Sequence, residues 1–133
     1  MTEIIKKSKL LRNVLIVDAV VAVIAAFALT LGATELQKIT NLPFSFIMFA
    51  GISFFPFAAL LFYVLLQKTI SKTFIWIIIG LNAIWGIDCF LMLLSGYVQP
   101  TQFGYGFVIV QAVSVIVYAV LEFMGMKRSE VVV

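Results

Sequence analysis

Four stretches of this chain, about residues 10–32, 44–66, 73–96 and 103–126, are apolar over more than twenty consecutive positions and nearly free of charge. A hydrocarbon core about 30 Å thick is crossed by roughly 20 apolar residues in an α-helix, so each stretch is long enough to span a bilayer. In lipid a spanning segment must satisfy its own backbone, which leaves helices or a closed barrel. Unbroken apolar runs of this length fit helices and not the alternating pattern of barrel strands. Composition agrees: 64% of the 133 residues are hydrophobic and 11% charged. Soluble domains sit near 45–50% and about 25%. The chain is therefore expected to form a single all-α membrane domain over residues 1–133.

Punctuation and connections set the topology. Gly32 and Gly96 follow the first and third runs, as glycines follow helix C-termini. Pro43 suits the first helical position of span two, and Thr101 can cap span four after Pro100. Thr34-Glu35-Leu36-Gln37 has the spacing of a capping box, which suggests a short helix lying on the outer surface. The links at 33–43, 67–72 and 97–102 are short, so consecutive helices must run antiparallel in an up-down four-helix bundle. Lys6, Lys7, Lys9, Arg12, Lys68, Lys72, Lys127 and Arg128 then fall on one side and only Lys38 on the other. That imbalance predicts cytoplasmic N and C termini. The first run exceeds the 7–15 residues of a cleavable signal peptide's apolar core, so it is read as a retained span. Tyr63, Tyr97 and Tyr105 sit near span ends, where tyrosines anchor at the interface.

The exclusions are equally informative. There is no histidine, and Cys89 is the only cysteine, so imidazole-based catalysis and disulfide or Cys-x-x-Cys chemistry are absent. No phosphate-binding glycine loop or nucleophile elbow occurs. An enzyme is not expected, nor a cofactor, a metal site or a nucleic-acid partner. The basic N-terminal segment reads as a topology signal with some affinity for anionic lipid.

What remains is polar chemistry inside the spans. Beyond Arg12 in the first turn, they hold Asp18, Asp88 and Glu122 and no basic residue. A charge at the centre of a spanning helix costs about 2.5–3.5 kcal/mol on insertion scales. By helical rise, Asp18, Asn82 and Tyr118 lie roughly 12–14 Å from the cytoplasmic edge, and Asp88 and Gln111 roughly 12 Å from the outer edge. Pro56, a kink site in span two, frees the Ile52 carbonyl near that outer level, with Ser53 beside it. Glu122, and to a lesser degree Asp18, lie shallow enough to reach the interface; Asp88 does not.

Faces reinforce the layers. Gly104, Gln111, Ser114, Tyr118 and Glu122 share one stripe of span four. Asp18 shares its stripe with Ala22, Ala25, Leu29 and Gly32, mostly small residues that admit a close neighbour. Asn82 and Asp88 flank Trp85 by about 60° on either side, with Cys89 in the same arc. Trp85 is either an aromatic lining or simply core, and Cys89 reads as a small apolar residue. Asp18-Ala19 precedes Gly32 by the spacing with which Asn82-Ala83 precedes Gly96, as a duplicated helical hairpin would produce.

Two functions follow. In the first, Asp88, Gln111, Ser53 and the Ile52 carbonyl form a proton or cation site, and Asp18, Asn82 and Tyr118 a second station. The protein is then transporter- or channel-like, handling protons, a cation or a small cationic or neutral solute. In the second, the same groups are interhelical glue in a non-catalytic accessory or scaffold protein that binds a partner protein or lipid. Four helices enclose little volume, so a transport path points to a homo-oligomer, most simply a dimer, surrounded by membrane lipid.

Familiar small four-span families differ at telling positions. Small multidrug transporters carry Glu where this chain has Asp18, and the one-sided charge departs from their dual-topology members. Fluoride channels need an arginine-bearing glycine-rich stretch, and glutathione-type membrane transferases need buried basic residues. The chain resembles instead a family of small four-span bacterial inner-membrane proteins, uncharacterised in function. The likeness rests on Asp18-Ala19 in span one and on Gly51 with Pro56-Phe57-Ala58 in span two. It extends to Asn82 and Trp85 in span three and to Pro100, Thr101 and Gly104 before span four. It covers most of the chain and implies the four-span fold and a multi-pass inner-membrane location, with no activity attached.

Overall fold

A computed structural model describes residues 3–132. Four long helices dominate: α1 (Lys9–Leu31), α3 (Phe44–Leu66), α4 (Lys72–Ser95) and α5 (Gln102–Lys127). Each is long and apolar enough to cross a membrane. Their limits fall within a residue of the four apolar runs, because apolar length and end signals act together. Gly96 ends α4 in the left-handed conformation at φ 79°, and Thr101 caps α5 by accepting the Gly104 N–H at 3.0 Å. The chain is a helical, multi-pass membrane protein.

Gly32 ends α1 as expected, while two helix-start signals, Thr34 and Pro43, work differently from the expectation. Gly32 closes α1 at φ −102°, outside the left-handed region, and the chain turns directly into α2 (Ala33–Thr40). The short helix exists, but Thr34 is inside it and caps nothing. Gly32 stands at its N-cap with no side-chain bond there, because α1 leads into α2 without the loop a capping box needs. Pro43 is likewise the N-cap of α3, and Phe44 its first helical residue.

Helix α3 packs on α1, α1 on α5, and α5 on α4. Both ends of this row are tied. At one end, β1 (Ile4–Lys6) lies between β2 (Ile70–Ser71) and β3 (Glu130–Val131), antiparallel to both. Ile4 pairs with Ser71, and Ile5 with Ile70 and Val131. This small sheet gathers the start of α1, the α3–α4 link and the end of α5. Ile5 is fully buried beneath it, in an apolar cluster with Leu11, Ile70, Ile75 and Met126. Lys72 closes the edge with an ion pair to Glu3 at 3.0 Å. Nearby, Lys7 donates to the Gln67 carbonyl. Partial burial and the Arg12 charge hold the Lys7 ammonium below its ordinary pKa.

The α1–α5 crossing beside the sheet is close. A Cβ on Gly125 would stand 2.7 Å from the Leu11 N and Cα, so only glycine fits. Ser8 Oγ and Ser129 Oγ both donate to the Gly125 carbonyl, at 2.7 and 2.8 Å. At the opposite end the Thr101 N–H donates to the Thr40 carbonyl at 3.0 Å, and the Thr101 hydroxyl to that of Ile39 at 2.7 Å. A second apolar cluster there includes Leu42, Ile47, Cys89, Val108 and Ala112.

Candidate functional site

Between the two apolar clusters, three helices each bring one polar side chain to a common point. Asp18 comes from α1, Asn82 from α4 and Glu122 from α5. Ala19 and Ala22, buried beside Asp18, keep α1 slim enough for the approach. The Asn82 amide donates to Asp18 Oδ2 and to Glu122 Oε1, both at 2.9 Å. The three residues are 3%, 3% and 0% exposed. Both carboxyls are thus held beside each other by one amide nitrogen. Glu122 Oε2 has no donor among the described residues.

The burial of Glu122 departs from its expected shallow, interface-reaching place. Counted from the sheet end, the Cα atoms of Asp18, Asn82 and Glu122 lie roughly 14, 15 and 8 Å along their helices. Side chains tilt toward their own helix N-terminus. Helix α5 ends at the sheet, so Glu122 reaches away from it into the bundle. Helices α1 and α4 begin there, so Asp18 and Asn82 reach back toward it. The tilts close a gap that Cα depth alone leaves open.

Two cavities flank this trio. One, of about 440 Å³, lies between α3 and α4 and is lined by Asp88, Ser53, Pro56, Trp85 and Asn82 among apolar side chains. The other, of about 690 Å³, lies between α1 and α5 toward the α2 end, with Asp18, Gln111, Ser114 and Tyr118 in its wall. Phe54 borders both. Asn82 thus touches one cavity and Asp18 the other, and their hydrogen bond lies between the two.

The expected outer group is divided by this arrangement. Asp88 and Ser53 share a cavity, while Gln111 faces the other. The cause is packing order: the Gln111–Ser114–Tyr118 stripe of α5 turns toward α1, and Asp88 of α4 turns toward α3. Asp88, expected to be enclosed, is exposed within its groove, as are Ser53 and Pro56. Tyr118 does join Asp18, in the wall of the second cavity. Trp85 lines the first cavity, stacked on Phe46 at 5.8 Å between centroids and edge-on to Phe54 at 6.3 Å. Its indole N–H is buried with no acceptor among the described residues. Cys89 is buried in the second apolar cluster.

Among the described residues no group of three acidic or thiol side chains is placed to hold a metal ion. The trio can do something simpler. Two buried carboxyls side by side, with no cation beside them, cannot both carry charge without strong repulsion. One proton held between them removes it, and Glu122 Oε2 is the oxygen that no amide hydrogen occupies.

No family model matches the chain, and neither a curated protein nor a solved structure matches it. Its function is therefore argued from this geometry.

Proposed function

We propose that this is a multi-pass protein of the bacterial inner membrane, transporter- or channel-like, in which Asp18, Asn82 and Glu122 form a proton- or cation-binding centre. The bundle is up-down, with both termini and the sheet in the cytoplasm. Eight of the nine basic residues support this orientation, leaving Lys38 alone outside. The observation that carries the reading is the position of a carboxyl pair on one amide, between two cavities and without a basic partner. Titratable groups inside a membrane bundle commonly mark proton or ion paths. The apolar cluster at the sheet end seals the centre on that side, so a path to the cytoplasm needs a rearrangement or a second protomer. Lipid and a second copy are the expected partners, and no catalysis is assigned.

A non-catalytic scaffold is the second reading, favoured by one feature. The three side chains hydrogen-bond to one another, leaving only Glu122 Oε2 without a donor among the described residues, and are nearly closed to solvent, as glue would be. The experiment is a stability scan in detergent against pH, Na⁺ and K⁺, with proton flux in liposomes, for wild type, Asp18→Asn, Glu122→Gln and Asp88→Asn. A ligand bound only by the folded state adds about 2.7 kcal/mol at a hundred-fold excess over Kd. A cation or pH response, with flux, that disappears in Asp18→Asn and Glu122→Gln supports the first reading. No response and no flux, with the variants merely less stable, supports the scaffold.

A further inference from the structure

Helices α3 and α4 are consecutive in the chain, yet they face each other mainly across the 440 Å³ cavity. Its walls are apolar, with Phe49, Phe54, Phe57 and Trp85 among aliphatic side chains, and its polar side chains are Ser53, Asn82 and Asp88. Both hydrogen bonds of the Asn82 amide go to Asp18 and Glu122 of the core trio. Asp88 brings a carboxylate that makes no ion pair among the described residues. Ser53 brings a hydroxyl. No lysine or arginine lines the cavity. The Asp88 and Ser53 oxygens can both act as acceptors, and aromatic faces attract cations.

From these features we propose that the α3–α4 groove is a binding site for a lipophilic organic cation, with Asp88 as its counter-ion and the Trp85 and Phe54 rings as its walls. The chemistry is complementary: Asp88 is the one acidic side chain in the lining and makes no ion pair among the described residues. A small inorganic ion does not suit the groove, since the oxygens are too few and the walls too apolar to replace a hydration shell. A lipid acyl chain suits the walls but leaves the carboxylate unpaired in hydrocarbon, where charge is costly. The volume falls within the range of about 300–1,000 Å³ that holds small organic ligands. Asp88 lies roughly 10 Å from the end of α4 remote from the sheet, so the cation would enter from that side of the bilayer. The inference concerns binding in the groove, and it stands or falls apart from proton handling by the core trio.

The test uses two ions of nearly the same shape and opposite charge, tetraphenylphosphonium and tetraphenylborate. Trp85 is the reporter once Trp76, which is half exposed and at the far end of α4, is replaced in a Trp76→Phe background. Saturable quenching of Trp85 by the phosphonium, about tenfold tighter than by the borate, is expected. Asp88→Asn should weaken the phosphonium by about tenfold and leave the borate unchanged. Ser53→Phe, which narrows the groove without touching the carboxylate, should weaken the phosphonium as well. Equal affinity for the two ions, or a preference for borate, overturns the proposal and leaves an apolar crevice that lipid or detergent fills. So does Asp88→Asn binding phosphonium as wild type does. Should Asp88→Asn fail to fold, the contrast between the two ions on the Trp76→Phe protein still decides.

Discussion

Replacing Asn82 with leucine removes the only two donors that reach the Asp18–Glu122 pair among the described residues while keeping the same branched heavy-atom shape, so little of the effect should come from a cavity. Interhelical polar contacts in a bilayer average about 0.6 kcal/mol and reach about 1.7 at most, which gives about 1–3 kcal/mol for two bonds at 2.9 Å. A buried acceptor left without a donor adds about 1–3 kcal/mol. The carboxyls recover part of that by sharing a proton. A net loss of about 2–4 kcal/mol is therefore expected for Asn82→Leu, measured as reversible unfolding in bicelles. Pairing it with Glu122→Leu makes the assignment sharper. If the two residues are bonded, the double variant loses less than the sum of the singles, with a coupling of about 0.5–3 kcal/mol. Full replacement of the trio by leucine should be milder than Asn82→Leu alone, because it leaves no stranded acceptor. Loss below about 0.5 kcal/mol for Asn82→Leu, together with strict additivity, would show that the three side chains do not meet in the membrane, and the functional centre built on them would go with it.

Other consequences are local. Gly125→Ala drives a methyl into the Leu11 backbone and should cost about 1–3 kcal/mol in the same unfolding assay, whereas Gly80→Ala, with nothing within 4 Å of its Cβ, should stay within about 0.5 kcal/mol of wild type. Thr101→Ala loses the cap on Gly104 and the bond to Ile39 and should cost about 1–2 kcal/mol, with amide exchange rising first at the start of α5. Folded Lys7 gives up its proton more readily than unfolded Lys7, so between its folded value and 10.5 the unfolded chain binds more protons and stability rises with pH. Lys7→Met should flatten that rise in an alkaline unfolding series.

The spans were legible to within a residue because apolar length, end signals and charge all act on the same boundaries. Asp18, Asn82 and Glu122 were legible as polar groups needing shelter, yet only Asp18 and Asn82 were grouped. Depth was counted at Cα, and the opposite tilts on α1, α4 and α5 supply the missing reach. Gln111 was grouped with Asp88 because periodicity gives a residue's direction around its own helix but not which neighbour stands there. The sheet left no trace: Ile4-Ile5-Lys6, Ile70-Ser71 and Glu130-Val131 are too short to show alternation. Their pairing exists only once the helices have brought those ends together. Trp85 and Asp88 share an arc of α4, as helical geometry requires, but the groove they line depends on α3 standing away from α4.

That separation bears on the apparent duplication of the chain. The two residues at matching places in the repeat, Asp18 and Asn82, are hydrogen-bonded to each other at 2.9 Å, as partners across a shared axis would be. A duplicated hairpin with such an axis would make the α1–α5 and α3–α4 seams alike. They are not alike. The α1–α5 seam is drawn shut at the sheet end by Gly125 against Leu11 and by the Ser8 and Ser129 hydroxyls on the Gly125 carbonyl. At the sheet end of the α3–α4 seam the rings of Tyr63 and Phe74 meet at 5.7 Å between centroids, and beyond them the groove opens along Pro56 and Phe57. If the halves began equal, the difference at the sheet end lies in side-chain size: glycine and serine let α1 and α5 backbones touch, and aromatic rings keep α3 and α4 a ring's width apart. An open seam bearing an unpaired carboxylate is costly in a bilayer. Its persistence is best understood if something cationic occupies it, and the phosphonium–borate contrast is the direct way to find out.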